Sequence, residues 1–507
     1  MKFLKNIFGR FAINAIFILT QIFLFIFYIN KISKEHIYIY TTLVFLSYLL
    51  IIFIVNKKTN NDHKIPWIVF ILLFPIPGVI SYFLFGQRFT SKNFRKKITN
   101  EFHNIHKQLD IKLDEDLDII PKVKNQLYYI EKTASTKPSS NTQTEYFKTG
   151  HEMFLDMLET LKLAKNYIFM EYFIIHEGYM WNSILNILKE KVKEGVEIRI
   201  MYDDIGSVKN LPKKFKKSMR ELGIKVETFN RFVPIVSSVH NFRDHRKFMI
   251  IDGIYGYTGG VNISDEYIGY EKPYNDFKDT GIKLTGNAVK NMVVLFLSLW
   301  NVYDKNKTND YSKYLESTKE VEPDGIVHLY GDGPAPIYEH SIGEDVYVDI
   351  INQAEKYLYI TTPYLIINER ITFSLKYAAM RGVDVRIITP GEPDKKTIYL
   401  LTRDSYEELI EAGVKIYEYT PGFIHQKVFL ADDEIGVVGT INLDYRSLVH
   451  HFECASYLYK SKCLKDIKED FNEMFDVSRL VPLKEAQKKG TLKRIILSIL
   501  KFFSPLL

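Results

Sequence analysis

The sequence has little cysteine and little excess charge. Its only two cysteines in 507 residues, Cys454 and Cys463, allow neither a disulfide framework nor a zinc-finger ligand set, so both are expected to be ordinary packed residues. The 67 lysines and arginines are nearly balanced by 61 acidic residues, giving a net charge of +6. No dense basic stripe or aromatic stacking platform accompanies the motifs below, which argues against a nucleic-acid partner and leaves anionic phospholipid as a compatible one.

Long uncharged runs are abundant near the N-terminus. Three have the length and composition of membrane spans, at about 11–28, 37–55 and 65–85. No small-residue cleavage site follows the first run, so an uncleaved anchor is expected. Pro75, Pro77 and Gly78 predict a kink or a re-entrant segment in the third. Residues 1–86 are therefore predicted to be the membrane region of a multi-pass cell-membrane protein, with its orientation open because basic residues flank both sides.

Two copies of one motif carry the chemistry. A histidine, a lysine and an aspartate recur in the spacing H-x-K-x4-D, and a glycine and an asparagine follow each copy at the same offset. The residues are His245, Lys247, Asp252, Gly259 and Asn262 in the first copy, and His425, Lys427, Asp432, Gly439 and Asn442 in the second. One copy alone is weak evidence, because a buried histidine and a surface lysine explain it equally well. Two matching copies indicate a catalytic site.

The residue types suit the cleavage of a phosphodiester. One histidine can attack phosphorus while the other acts as general acid and then base. Lysine is a compact cation for phosphoryl oxygens, and Asn262 and Asn442 are predicted to donate to the same oxygens. Neither copy holds two histidines, so the copies are expected to meet in one site. No metal and no cofactor is required by this chemistry.

The chain beyond residue 145 alternates strand and helix patterns twice. In the first half, 167–175 and 196–202 are predicted strands around a helix at 181–194. In the second half, 357–362 and 383–388 are predicted strands around a helix at 370–380. Gly195 and Gly382 are expected to end the two helices in the left-handed conformation. The pattern predicts a duplicated α/β domain with a mainly parallel sheet in each half and one active site where the halves meet.

The predicted boundaries follow from these patterns. A juxtamembrane connector is expected at 87–145, a first α/β half at 146–311 and a second half at 312–482, with the crossover between halves at 312–333. The tail at 483–507 contains a basic amphipathic helix from Thr491 onward. Binding to the membrane surface and docking on the catalytic domain remain equal alternatives for that helix.

The paired motifs resemble those of the phospholipase D superfamily, and the surrounding sequence is similar to one branch of it, the bacterial cardiolipin synthases. The resemblance covers nearly the whole chain, including the membrane region. The matching stretches are GVEIRIMYDDIGS, NFRDHRKFMIIDG and TGGVNISDEYIG in the first half, and TTPYLIINE, RGVDVRIITPG and GTINLDYRSLVHHFE in the second. The resemblance implies a duplicated phospholipase D-like fold. It also implies that His245 is the nucleophile, because members of the superfamily use the histidine of the first half.

The resemblance also implies acidic residues that orient the two histidines. Asp279 and Glu453 each follow a motif histidine by about 30 residues. A carboxylate on the second imidazole nitrogen fixes the tautomer and stabilises the cation. Asp252 and Asp432 stand at strand ends instead, so they are expected to bind turn amides rather than transfer protons. His450 and His451 are not selected by the pattern and are expected to be structural or exposed.

The function implied is that of an integral membrane phosphatidyltransferase that converts two phosphatidylglycerols into cardiolipin and glycerol through a phosphatidyl-histidine. A phospholipase D that releases phosphatidic acid is the alternative, since water and an alcohol can resolve the same intermediate. The flanking stretches favour the synthase over this hydrolase. A membrane-tethered nuclease is less compatible with the lack of a dense basic stripe or stacking platform around the motifs, and a non-catalytic lipid-binding protein is less compatible with two intact motifs.

Overall fold

A computed structural model gives the fold of most of the chain. It describes residues 36–57, 61–86, 92–107, 109, 111, 113, 119–231 and 242–503, apart from 272, 305–307, 309, 317–318, 323, 336 and 488–489. The predicted span at 11–28 lies outside the described residues. These residues fall into two compact units, one drawn from Met1–Thr90, Arg231–Phe242 and Ser498–Leu507, the other from Ser91–Asn230 and Arg243–Leu497.

Apolar helices form the N-terminal unit. They are α1 (Ile37–Asn56), α2 (Asn61–Leu73), α3 (Pro75–Ser81) and a π-helical turn at Tyr82–Gly86. Within the described residues, α1 is the one helix long and apolar enough to cross a membrane, with a mean hydropathy of 2.3. The run at 65–85 is not one helix. It breaks before Pro75, as its prolines predicted, because a proline nitrogen has no hydrogen to donate to the preceding turn.

The first half of the larger unit begins with two helices and continues as an α/β domain. Its elements are α4 (Lys92–His106), α5 (Pro121–Ala134), β1 (Thr142–Phe147), α6 (Gly150–Lys162), β2 (Tyr167–Tyr172), α7 (Tyr179–Lys193), β3 (Glu197–Asp203), α8 (Asp204–Ser207), α9 (Phe215–Glu221), β4 (Lys225–Phe229), β5 (Arg243–Asp244), β6 (Lys247–Ile251), β7 (Tyr255–Gly259), β8 (Phe277–Lys278), β9 (Gly281–Gly286), α10 (Val289–Tyr303) and α11 (Ser312–Leu315). Gly195 ends α7 with a φ of +87°, the left-handed conformation that the sequence predicted.

The second half repeats this order. Its elements are β10 (Ile326–Asp332), α12 (Ile342–Gln353), β11 (Tyr357–Thr361), β12 (Leu365–Ile366), α13 (Glu369–Met380), β13 (Asp384–Pro390), α14 (Lys396–Asp404), α15 (Tyr406–Glu411), β14 (Lys415–Tyr419), β15 (Phe423–Ile424), β16 (Val428–Ala431), β17 (Ile435–Gly439), β18 (Leu443–Asp444), α16 (Tyr445–Val449), β19 (His451–Tyr459), α17 (Leu464–Asp476), β20 (Ser478–Leu480), α18 (Leu483–Ala486) and α19 (Thr491–Phe503). The predicted crossover at 312–333 is therefore more than a connector, because its end forms β10.

The two sheets have the same topology. In the described part of the chain the strand order is β1-β9-β7-β6-β2-β3-β4 in the first half and β10-β19-β17-β16-β11-β13-β14-β20 in the second. Within these two orders β2-β3-β4 and β11-β13-β14 pair in parallel, and the remaining neighbours are antiparallel. The α/β class is thus confirmed, but the prediction of mainly parallel sheets is wrong. The strands pair antiparallel where tight turns join them, as in the hairpin β6–β7, because a parallel pair needs a long crossover between its strands.

A continuous apolar core joins the halves. Helix α10 is buried from Val289 to Asn301, and Phe296 on it stacks against Phe169 of β2 with ring centroids 4.6 Å apart. The same core includes residues of β10, β17 and β19 from the second half. Cys454 and Cys463 are buried and free, as expected for packed residues. The core therefore fixes the two motif copies relative to each other.

Candidate active site

The motif aspartates hold the ends of their hairpins. Each accepts hydrogen bonds from three consecutive backbone amides at the start of the neighbouring central strand, at 2.7–2.9 Å. The donors are Lys165, Asn166 and Tyr167 for Asp252, and Glu355, Lys356 and Tyr357 for Asp432. Asp252 and Asp432 have φ of +55° and +56°, a turn conformation that aspartate tolerates better than most residues. These contacts are of the amide-binding kind expected from the position of both aspartates.

Both motif histidines lie just before their strands, between a short strand and the hairpin. In the first half β5 pairs in parallel with the start of β19, and the amide of His245 donates to the carbonyl of Phe452 at 2.9 Å. In the second half β15 pairs in parallel with β8, and the amide of His425 donates to the carbonyl of Lys278 at 2.7 Å. The backbone of each histidine is thus hydrogen-bonded to the other half, at the residue just before Glu453 for His245 and just before Asp279 for His425.

The orienting carboxylates are exchanged between the halves. Nδ1 of His245 lies 2.9 Å from both carboxylate oxygens of Glu453, and Nδ1 of His425 lies 2.7 Å from Oδ2 of Asp279. Both carboxylates are 0 % exposed. The sequence left open which histidine each acid accompanies. The geometry gives each histidine the acid of the opposite half, so neither half holds a complete histidine–carboxylate pair.

The two lysines lie against the backbone of their own histidines. Nζ of Lys247 donates to the carbonyl of His245 at 2.6 Å, and Nζ of Lys427 contacts both the carbonyl and Nδ1 of His425, the latter at 2.9 Å. Burial lowers the pKa of Lys247 to about 8 and that of Lys427 to about 7, although Glu453 and Asp279 act in the opposite direction. The charge of Lys247 also lowers the pKa of Lys427, so the two ammonium groups repel each other, and an anion bound beside them would relieve that repulsion.

Burial disfavours the charged form of both motif histidines. Burial, followed by the charge of Lys247, holds the pKa of His245 well below its ordinary value. Burial and the charge of Lys427 lower the pKa of His425 to about 4, although Asp279 acts in the other direction. A neutral imidazole that donates through Nδ1 to a carboxylate carries its lone pair on Nε2. Each ring can therefore act through Nε2 as a nucleophile or a base.

The two motif asparagines are placed differently. In Asn262, Oδ1 accepts from the amide of Ile174 at 3.0 Å, and Nδ2 donates to the hydroxyl of Tyr267 at 2.7 Å. Asn442 is buried, and its Oδ1 has no hydrogen-bond partner among the described residues. Asn262 keeps one amide hydrogen available, and a half-turn of the Asn442 amide would exchange its oxygen for a donor. Donation to a phosphoryl oxygen is compatible with both.

Aromatic rings and one further histidine lie beside the motif histidines His245 and His425. The ring of Phe173 lies 5.0 Å from that of His245, and the ring of Tyr267 lies 5.7 Å from that of His425. His451 lies beside His245 and Glu453, and the ligand atoms of these three fall within 4.8 Å of one another, the one such metal-ligand spacing among the described residues. The pattern did not select His451, although its position two residues before Glu453 on one strand places both side chains on the same face.

A duplicated α/β fold with two histidine–carboxylate pairs and two buried lysines defines an enzyme of the phospholipase D type. Residues 157–276 and 347–475 match the family model described as cardiolipin synthase, PLD-like domain, and residues 44–87 match phospholipase D-nuclease N-terminal. The chain belongs to the cardiolipin synthase family of the phospholipase D superfamily, which makes it a phosphatidyltransferase that forms cardiolipin.

The relatives match over most of their length. An uncharacterized protein of Streptococcus mutans is 40% identical over 90% of this chain and 99% of its own. A cardiolipin synthase of Halalkalibacterium halodurans is 32% identical over 92% of both chains, and cardiolipin synthase 2 of Bacillus anthracis is 35% identical over 90% of this chain and 89% of its own. The crystal structure of phosphatidylserine synthase from Haemophilus influenzae has a TM-score of 0.56 at 16% identity, covering 76% of this chain and all of that one, a likeness in fold.

Proposed function

We propose that the chain joins two phosphatidylglycerols at one active site, giving cardiolipin and glycerol through a phosphatidyl-histidine. The observation that supports one site is the exchange of carboxylates, because His245 with Glu453 and His425 with Asp279 each need both halves. The charges of Lys247 and Lys427 both act on His245, which is further evidence that the two motifs share one electrostatic environment. Two separate sites would leave each with a single histidine.

The first step forms the covalent intermediate. Nε2 of His245 attacks the phosphorus of the first phosphatidylglycerol, and the bond from phosphorus to the glycerol oxygen breaks. His425 donates its Nε2 proton to that oxygen, so glycerol leaves neutral. The bound phosphodiester supplies the negative charge that allows His425 to hold this proton, because a nearby anion raises the pKa of an imidazole. Asp279 stabilises the same imidazolium through Nδ1.

The second step transfers the phosphatidyl group. His425, now neutral, takes the proton of a free hydroxyl on the glycerol of the second phosphatidylglycerol. That oxygen attacks phosphorus, the bond from phosphorus to Nε2 of His245 breaks, and the electron pair returns to the imidazole. Cardiolipin leaves, and His425 again carries the proton with which the cycle began. No redox change and no nucleotide enters the balance.

The remaining site residues stabilise charge and geometry. Lys247 and Lys427, with Asn262 and Asn442, would hold the phosphoryl oxygens as negative charge accumulates in each transition state. Glu453 fixes the tautomer of His245 and stabilises its phosphatidyl form. His245 and His425 are 7% and 8% exposed, so little water reaches either ring in the free protein.

Attachment to the cell membrane is proposed to be multi-pass. Helix α1 supplies one span, the run at 11–28 is predicted to supply another, and the broken helices α2 and α3 suit a re-entrant or kinked segment. Pieces of 13 and 7 residues are each too short to cross the hydrocarbon core alone. Anionic phospholipid is thus both the surroundings and the substrate.

The decisive test is product analysis from the purified protein in phosphatidylglycerol vesicles without nucleotide. Equal amounts of cardiolipin and glycerol are expected. His245→Ala and His425→Ala should each abolish turnover, whereas His151→Ala, at an exposed position on α6, should not. Phosphatidic acid as the main product would show that water resolves the intermediate. Near wild-type activity in either active-site variant would disprove the two-histidine mechanism.

A further inference from the structure

The two histidine–carboxylate pairs are not equivalent. On β19, His451 lies two residues before Glu453 and pairs in register with Arg243 of β5. On β8 the matching position is Phe277, two residues before Asp279, in register with Phe423 of β15. The ring of His451 lies 5.4 Å from that of His245, and the ring of Phe277 lies 5.9 Å from that of His425. One motif histidine thus has an imidazole beside it where the other has a phenyl ring.

Glu453 has a second imidazole beside it, whereas Asp279 has a phenyl ring at the matching position. Both oxygens of Glu453 contact Nδ1 of His245, and Oε2 also accepts from the hydroxyl of Thr440. Nδ1 of His451 lies 3.6 Å from Oε1 and has no hydrogen-bond partner among the described residues. The His451 side chain is 11% exposed, so water can satisfy this nitrogen only poorly. A movement of about half an ångström would bring it to hydrogen-bond distance of Glu453.

The corresponding positions around Asp279 carry no such donors. Gly260 takes the place of Thr440, and a Cβ there would come within 2.0 Å of Oδ1 of Asp279. Asp279 accepts from His425 and from the amide of Thr280 at 2.8 Å. The second donor to Asp279 is thus a backbone amide, and among the described residues His425 is the one side chain that contributes a hydrogen bond to it. Glu453 accepts from the side chains of both His245 and Thr440 and has His451 at 3.6 Å as a further side-chain donor within reach.

We propose that His451 is a positioning residue for the proposed nucleophile, sharing Glu453 with His245 so that the phosphatidyl-histidine breaks down readily. This inference rests on the proposed function. A phosphatidyl group on Nε2 leaves His245 positively charged with its hydrogen on Nδ1, and a carboxylate on that hydrogen stabilises the adduct. A second N–H on the same carboxylate weakens this stabilisation. His451 therefore favours the second step, in which the bond from phosphorus to Nε2 breaks.

The test compares substitutions that keep or remove the donor. His451→Phe copies the residue of the second half, and His451→Leu removes the donor without a ring. His451→Gln keeps an N–H of similar reach. During turnover of phosphatidylglycerol, the fraction of protein carrying a phosphatidyl adduct is measured by intact mass after alkaline quench, together with the initial burst of glycerol. Phe277→Leu, at the matching position, is the control for loss of packing.

The Phe and Leu variants are expected to raise the adduct fraction and lower kcat by about 3- to 10-fold, the effect of one modest hydrogen bond. The glycerol burst should persist, and the Gln variant should stay within about 2-fold of the wild type. An unchanged adduct fraction in the Phe and Leu variants, or equal impairment of the Gln variant, would overturn the inference. Either of these results would leave the proposed two-histidine mechanism intact as long as His245→Ala is inactive. An active His245→Ala would instead disprove both the mechanism and the inference about His451.

Discussion

His245 of the first half forms its carboxylate hydrogen bond with Glu453 of the second, at 2.9 Å from Nδ1 to each oxygen. In the same way, Oδ2 of Asp279 in the first half lies 2.7 Å from Nδ1 of His425 in the second. The backbone explains the exchange, since the residues preceding each histidine pair with the strand that precedes the opposite acid. The predictions below follow from this arrangement and from the charges buried around it.

Replacing either carboxylate by its amide should disable catalysis without unfolding the protein. Glu453→Gln and Asp279→Asn keep the shape but reverse the hydrogen-bond preference, so the imidazole adopts the wrong tautomer. We expect cardiolipin formation to fall by about 100-fold or more. The double variant His245→Ala with Glu453→Gln should be no worse than His245→Ala alone, because both act on one group. Glu159→Gln, at an exposed position, is the control. Additive losses would contradict the pairing.

Activity and stability should respond to pH in opposite directions. Lys427 and Lys247, with pKa values of about 7 and about 8, lose their charge as pH rises through that range, so kcat/KM should fall. Both pKa values lie below the unfolded value near 10.5, so the unfolded chain binds more protons between about pH 7 and 10. Their contribution to stability is therefore complete only above about pH 10 and is lost as pH falls through the folded pKa values.

The check is the melting temperature and kcat/KM of the wild type between pH 6.5 and 9.5, each compared with Lys427→Met. The variant should show a weaker rise of melting temperature with pH, because methionine does not titrate. A wild-type kcat/KM that stays constant to pH 9.5 would show that the lysine charges are not needed for turnover.

Substituting a motif aspartate should mainly reduce stability. Asp252→Ala leaves three backbone amides at the start of β2 without their acceptor, and each lost bond to a charged group costs about 1.5–3 kcal/mol at most. Lys165 and Asn166 are exposed, so water can replace the acceptor for two of the three amides, and we expect a loss of about 2–5 kcal/mol in the free energy of unfolding, measured by denaturant titration. Asp252→Asn, which keeps one acceptor oxygen, should lose less. Glu190→Ala, on an exposed helix face, should be near neutral.

Adding a single methyl group at Gly260 should inactivate the second pair. A Cβ at this position would lie 2.0 Å from Oδ1 of Asp279, so Gly260→Ala must displace the carboxylate from His425. We expect a loss of about 100-fold in kcat with a much smaller change in KM for phosphatidylglycerol, measured in vesicles. Gly490→Ala is the matched control, because a Cβ at Gly490 would have no neighbour within 4 Å in the part of the chain that the structure describes. Full activity of Gly260→Ala would argue against the role of Asp279.

Chelation should leave activity intact. The proposed steps assign the nucleophile, the acid and the cations to side chains, so cardiolipin formation should survive excess EDTA. Loss of activity that Mg²⁺ restores would contradict the phosphatidyl-histidine route. Replacing Mg²⁺ by a monovalent salt at equal ionic strength separates this outcome from screening of anionic lipid.

Part of this architecture could be predicted from the sequence because it depends on local patterns. The spacing around His245 and His425, the left-handed glycine after α7 and the break at Pro75 each depend on a few neighbouring residues. The exchange of Asp279 and Glu453 could not be predicted, since each acid follows its own histidine by a similar distance along the chain. The antiparallel part of each sheet could not be predicted from the alternation of strands and helices, because short strands joined by tight turns, such as β6 and β7, have no helix between them.

His451 could not be predicted for a related reason. The paired motifs contain only residues that both halves share, and the residue that matches His451 in the first half is Phe277. Its counterpart Phe277 becomes visible only when β8 and β19 are seen in the same place in the two halves. Departures from internal symmetry therefore carry information that the repeat itself conceals.

The crossed hydrogen bonds also have a genetic consequence. A gene encoding one half alone would specify a histidine whose carboxylate is encoded by the other gene. Such a polypeptide would complete its histidine–carboxylate pairs only in a dimer, in which the second copy supplies the acid. Two halves encoded in one gene need not be identical, and these halves do differ, with Thr440 and His451 where the first half has Gly260 and Phe277.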